Sequence, residues 1–120
     1  MEESRDLRQS VIVSLPELQD IRDQSLREKV IDAWVYSLGK SSFRSIEGIR
    51  PSGNPDTAGL KRGTQTDHIR GVTQLAVALG DSLASQFPEL SIDRDLLIAC
   101  GLCHDVGKPY EFDPLNQERW

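Results

Sequence analysis

No stretch of this sequence supplies the roughly 20 consecutive apolar residues that a membrane-spanning helix requires. Basic excess is also missing: 14 Lys and Arg stand against 19 Asp and Glu, a net charge of −5. Binding to nucleic-acid polymers needs cationic surface to displace counterions, so such partners are not expected. A small anionic substrate held by a few local cations remains open. Only two cysteines are present, and the opening Met1-Glu2-Glu3-Ser4-Arg5-Asp6 is polar, unlike a secretory signal. These absences lead to the expectation of a cytoplasmic protein with free thiols and no membrane association. At 120 residues the chain is expected to form one domain with a real core.

The most informative stretch is Leu96-Leu97-Ile98-Ala99-Cys100-Gly101-Leu102-Cys103-His104-Asp105-Val106-Gly107-Lys108-Pro109. It starts as an apolar run and ends in a His, an Asp and a Lys. Leu97, Gly101 and His104 share one helical face, as do Leu96, Cys100 and Cys103. Gly107 suits the position past a helix end, and Pro109 is expected to keep the helix from resuming. Two metal-capable side chains thus fall side by side at a helix terminus, where the backbone can bend enough for both to reach one ion.

Upstream, residues 1–14 read as an arm with a strand-like patch at Val11-Ile12-Val13, and residues 15–120 as the folded domain. Ser14 and Glu17 have capping-box spacing ahead of Leu18, Ile21, Val30, Ile31, Trp34, Val35 and Leu38, which predicts one long helix ending at Gly39. Trp34 lies inside that stripe and is assigned to the core. Residues 41–65 are rich in breakers, with one helical turn expected around Ile46. This loop also carries Arg50, Lys61 and Arg62, and Arg62 is preferred as a contact for an anionic substrate because it lies just before His68. Thr64 and Asp67 have capping-box-like spacing for a helix whose apolar face is read as His68, Val72, Leu75, Ala76, Leu79 and Leu83. Phe87-Pro88 ends that helix, and Asp93 can cap the next. Residues 110–114 read as a short connection. The overall pattern is all-α, a helical bundle without strands.

His104-Asp105-Val106-Gly107-Lys108, with His68 opening an upstream amphipathic helix, resembles the HD superfamily of metal-dependent phosphohydrolases. The resemblance covers residues 60–110. It implies an HD-type helical bundle, ending here before the family's C-terminal helices, with His68, His104 and Asp105 as metal ligands. The family's later Asp ligand would fall on a helix well downstream. Asp113 lies too near Asp105 to take that place. Mixed imidazole and carboxylate donors suit one divalent ion, Mn, Fe, Co, Ni, Zn or Mg. With only two His, a multi-His dinuclear oxygenase centre is not supported. The implied reaction is hydrolysis of a small, nucleotide-like phosphate ester by a metal-activated water, with Lys108 as the catalytic and substrate-binding cation. A bundle cut short would expose apolar helix faces, which favours a homo-oligomer.

Other readings compete. An HD domain lacking its last ligand would act as a binding or regulatory module, or as part of a longer enzyme. Cys100-Gly101-Leu102-Cys103-His104 also matches a c-type haem attachment signature, but Asp105, Gly107 and Lys108 have no role there. The only Met is Met1, which removes a Met axial ligand. A thioredoxin-like use of the two Cys would place them at a helix start, where thiol pKa falls. Here they come late in an apolar helix and read as packing thiols.

Overall fold

The computed structural model describes residues 2–51 and 63–119; Lys61 and the candidate Arg62 lie outside them. Regular structure among the described residues is entirely helical: α1 (Glu2–Ser14), α2 (Gln24–Gly39), α3 (Gln65–Gln86), α4 (Arg94–Cys103), α5 (Lys108–Phe112) and α6 (Pro114–Gln117), with 3₁₀ turns at Pro16–Asp20 and Ile46–Gly48. The all-α expectation holds. No helix among them is long and apolar enough to cross a membrane.

The first segment departs from its sequence reading. A strand over Val11-Ile12-Val13 would place Val11 and Val13 on one face, but Val11 is fully buried while Val13 is 69% exposed. Leu7 and Val11, one helical turn apart, are buried against the core, and Glu2 and Glu3 sit in the first turn, where acidic groups favour the helix dipole. The segment is therefore helix α1, tied to α2 by the Arg8–Glu28 ion pair at 2.8 Å.

The long helix expected from Ser14 to Gly39 is also divided. Leu15, Leu18 and Ile21 recur every third residue and all are fully buried. That repeat matches the 3.0-residue turn of a 3₁₀ helix, which eclipses every third side chain. Leu18 and Ile21 donate backbone N–H groups three residues back, at 3.0 and 3.2 Å. The carboxylate of Asp95 then accepts from the backbone N–H groups of Arg22 and Asp23, both at 2.9 Å. Asp23 caps α2 by accepting from the Leu26 N–H. Glu17, freed from any capping role, pairs with Arg70 of α3.

Trp34 is fully buried, and its indole N–H donates to the Leu102 carbonyl at 2.8 Å, joining α2 to the last turn of α4. The inward face of α3 is Thr66, Ile69, Thr73 and Gly80, not the larger apolar stripe read from the sequence: Leu75 is 72% and Leu79 61% exposed. The reason is backbone proximity. A Cβ built on Gly101 of α4 would stand 3.0 Å from the Thr73 Cα and 3.1 Å from its Cβ. Small residues on both helices let α3 and α4 approach along this line, and the bulky residues of α3 are turned away. On α4 the buried set is accordingly Ile98, Ala99, Gly101 and Leu102, while Leu96 and Cys100 are exposed.

Candidate metal centre

His68 stands in the first turn of α3, whose start is fixed by the Thr64 backbone N–H donating to Asp67 Oδ2 at 2.9 Å. This is the reciprocal half of a capping box, as the spacing suggests. Asp93 caps α4 by accepting from the Leu96 N–H, and α4 runs to Cys103, so His104 is its C-cap and Asp105 follows in the turn. The close Thr73–Gly101 crossing brings the start of α3 against the end of α4.

There the three side chains converge. His68 Nε2 lies 3.0 Å from Asp105 Oδ2 and 3.1 Å from His104 Nε2, and the third edge, His104 Nε2 to Asp105 Oδ2, is 3.4 Å. Metal–ligand bonds of about 2.0–2.2 Å place neighbouring donors on one ion about 3–3.5 Å apart, so this triangle has the dimensions of one face of a coordination shell. The imidazole rings meet edge-on at 62° with centroids 5.1 Å apart. The carboxylate is the most enclosed of the three, at 18% exposure against 38% and 31% for His68 and His104. The cluster therefore opens toward solvent on its imidazole side.

Surrounding groups fix this arrangement. His104 Nδ1 is 2.6 Å from the Gly101 carbonyl, a contact that places the proton on Nδ1 and leaves the Nε2 lone pair facing the cluster. Gln65 is fully buried and donates from Nε2 to Asp105 Oδ2 at 2.8 Å, while its own N–H is held by the Ile49 carbonyl at 2.7 Å. Gln65 was not a sequence candidate. The available signal was its spacing, three residues before His68 and on the same helical face. His68, His104 and Asp105 are, among the described residues, a group that could hold a metal ion.

The expected stop at Gly107 and Pro109 instead opens a new short helix. Gly107 has ordinary right-handed backbone angles and serves as N-cap, Lys108 opens α5, and Pro109 occupies its first turn, where a missing N–H costs nothing. Residues 110–112 belong to this helix and do not form a simple connection. Lys108 Nζ donates to Glu111 Oε2 at 2.9 Å and lies 5.2 Å from the Phe112 ring centroid. Arg70, two residues after His68, is engaged by Glu17 at 2.8 Å, which raises its pKa. Asp113 is 3% exposed and structural: it accepts from the backbone N–H groups of Ser42 and Leu115 and caps α6, and these bonds lower its pKa.

The cysteines border a separate shallow pocket with Leu26, Lys29 and Val30 of α2. Burial pushes the Cys103 thiol up to about 11, aided by the nearby Cys100, so it stays protonated at neutral pH. Cys100 is exposed and is not a packing thiol. His104, the residue that a haem attachment would use, is turned toward His68 and Asp105.

A family model described as HD domain matches residues 66–119, which include all three members of the cluster. The chain is also similar to a dihydroneopterin 2',3'-cyclic phosphate phosphodiesterase of Methanocaldococcus jannaschii, with 28% identity over 99 residues. The alignment covers 78% of this chain and 39% of that relative, so the chain spans about two fifths of the relative's length. No solved structure matches the chain.

Proposed function

We propose, on the premise that residues 66–119 make this chain a member of the HD-domain superfamily, that it hydrolyses a small phosphate ester at a mononuclear metal site held by His68, His104 and Asp105. The observation that carries this reading is the triangle of donor atoms, with edges of 3.0, 3.1 and 3.4 Å, at a helix end that fixes the tautomer of one imidazole. What a divalent ion supplies at such a site is Lewis acidity, which lowers the pKa of a coordinated water and draws charge from a phosphoryl oxygen.

The chain's own residues do the rest. Gln65 holds Asp105 Oδ2 beside the two imidazoles, and the Gly101 carbonyl, accepting from Nδ1–H, turns His104 Nε2 toward the cluster. Lys108, in the turn that follows Asp105, is the cation assigned to the substrate's anionic group, exchanging Glu111 for phosphate when substrate arrives. Arg62 is a second candidate for that role from its sequence position. The name of the methanogen relative supports a phosphodiester among the substrates to be tried.

The test is elemental analysis of protein purified without chelator, alongside His104→Ala and Asp105→Ala, followed by a panel of phosphate mono- and diesters. Near-stoichiometric metal in the parent protein, lost in both variants together with phosphate release, is the expected result. Cys100→Ala and Cys103→Ala should keep both properties. Metal retained equally in His104→Ala would sink the assignment. Metal bound without turnover of any ester would point to a binding module.

A further inference from the structure

A second concave site lies beside the turn that carries Asp105, and the hydrolytic reading makes no use of it. Tyr36 and Ser37 of α2, with its C-cap Lys40, face Val106, Gly107 and Tyr110 across a groove of about 510 Å³. That volume falls within the range of small-ligand sites.

Its lining restricts what fits. Tyr36 and Tyr110 keep 69% and 41% of their surface exposed, so two aromatic rings are available to a flat partner. Ser37 is 9% exposed, and its Oγ has no hydrogen-bond partner among the described residues. That hydroxyl is closed to solvent in its present rotamer, and a turn about χ1 would let it bond the polar edge of a ligand in the groove. Lys40 is the charged residue of the lining, and its Nζ sits 5.4 Å from the Tyr36 ring centroid. A Cβ on Gly107 would meet nothing within 4 Å, so the wall beside the turn is bare backbone. An alkyl chain would leave Ser37 and Lys40 unanswered, whereas a heteroaromatic ring bearing carbonyl oxygens answers both.

The geometry points to this groove as a binding site for a planar heteroaromatic ring, with Tyr36 and Tyr110 stacking on it, Ser37 bonding its edge and Lys40 meeting carbonyl or phosphate oxygens. The ring can belong to the ester cut at the cluster, a placement that rests on the hydrolytic reading, or to a separate effector. Val106 and Gly107 directly follow Asp105, so either source couples the groove to the candidate metal centre through one turn.

Guanosine, which has the ring and no phosphate, is the probe. It is titrated into the full chain while backbone amide resonances are followed by NMR. Saturable shifts are expected at Tyr36, Ser37, Gly107 and Tyr110. Tyr36→Ala and Tyr110→Ala should each weaken binding about tenfold, the scale of one lost base–aromatic stack, and Ser37→Ala should weaken it less. His104→Ala should bind guanosine as the parent does, so a failed groove and a failed metal centre give different results. With metal-loaded protein, competition by guanosine against a ring-bearing ester but not against p-nitrophenyl phosphate assigns the ring to the substrate. An effect on kcat with both esters assigns it to an effector. No saturable shift at millimolar guanosine, or binding unchanged in both Tyr variants, overturns the site.

Discussion

The two sides of α3 invert the usual assignment of a helix's faces. One side offers Val72, Leu75 and Leu79, the stronger apolar stripe, and it is exposed; the other offers Thr66, Ile69, Thr73 and Gly80, and it is buried. Hydrophobic burial alone favours the first arrangement. The second prevails at the α4 crossing because small residues let two backbones come close, and dispersion falls off steeply with any gap. The functional consequence lies one turn away. Packing on the small-residue side swings the start of α3 onto the end of α4, so His68 reaches His104 and Asp105.

The sharpest way to break this contrast is Gly101→Leu, which forces a side chain into the Thr73 backbone. A loss of about 3 kcal/mol or more is expected from denaturant unfolding, with loss of retained metal. A stable, metal-loaded variant would show that the close crossing does not hold the site. Gln65→Leu is milder and more selective. It removes the donor to Asp105 Oδ2 along with an amide oxygen that has no partner, so metal affinity should fall about 10–100-fold with a much smaller change in stability. Calorimetric metal titration checks the first, and thermal melts the second.

A pH series tests the junction that lets α2 start late. Backbone N–H groups of Arg22 and then Asp23 hold the Asp95 carboxyl below its ordinary value. A depressed folded pKa gives stability that is fully present above the unfolded value and lost as pH falls through the folded one, here below about pH 4. Asp95→Asn should lower Tm at pH 7 and flatten its fall in acid; parallel Tm curves for the two proteins would remove the carboxylate from this role. The smallest effect belongs to the outer face of α3. Leu75→Gln with Leu79→Gln should change stability by no more than about 0.5 kcal/mol per site. A larger loss, or a change in mass by light scattering, would mean that another copy covers that face, as the sequence led us to expect.

The sequence exposed the local chemistry of this molecule better than its packing. Thr64 and Asp67, Asp93, and the break at Phe87-Pro88 marked the starts of α3 and α4 and the end of α3 because caps and breakers act over three or four residues. The His-Asp pair fell at a helix terminus for the same reason. What could not be read was which face turns inward, since that depends on a partner helix: Gly101 matters only because Thr73 stands opposite. Val11-Ile12-Val13 looked like a strand because β-branched residues favour one, and only Leu7 and the core beneath it decide for α1. The every-third-residue repeat of Leu15, Leu18 and Ile21 was visible but was absorbed into a longer helical period. Gln65 carried no chemical signature, and its importance arises from a carboxylate 40 residues later.

The end of α4 has a further consequence, for how this domain can change over evolutionary time. The last carbonyls of a helix lack partners within it, and here three are taken in succession: Gly101 by His104, Leu102 by the Trp34 indole, Cys103 by the Val106 N–H. The imidazole at 104 is thus also the stopper of its own helix. If the cluster hydrolyses an ester as proposed, a descendant that gave this up would still be selected to keep a donor at that position, and histidine would persist there by inheritance. His68, which terminates nothing, would be free to drift. In a comparison of descendants, the residue at 68 is therefore the better witness to whether the chemistry survives.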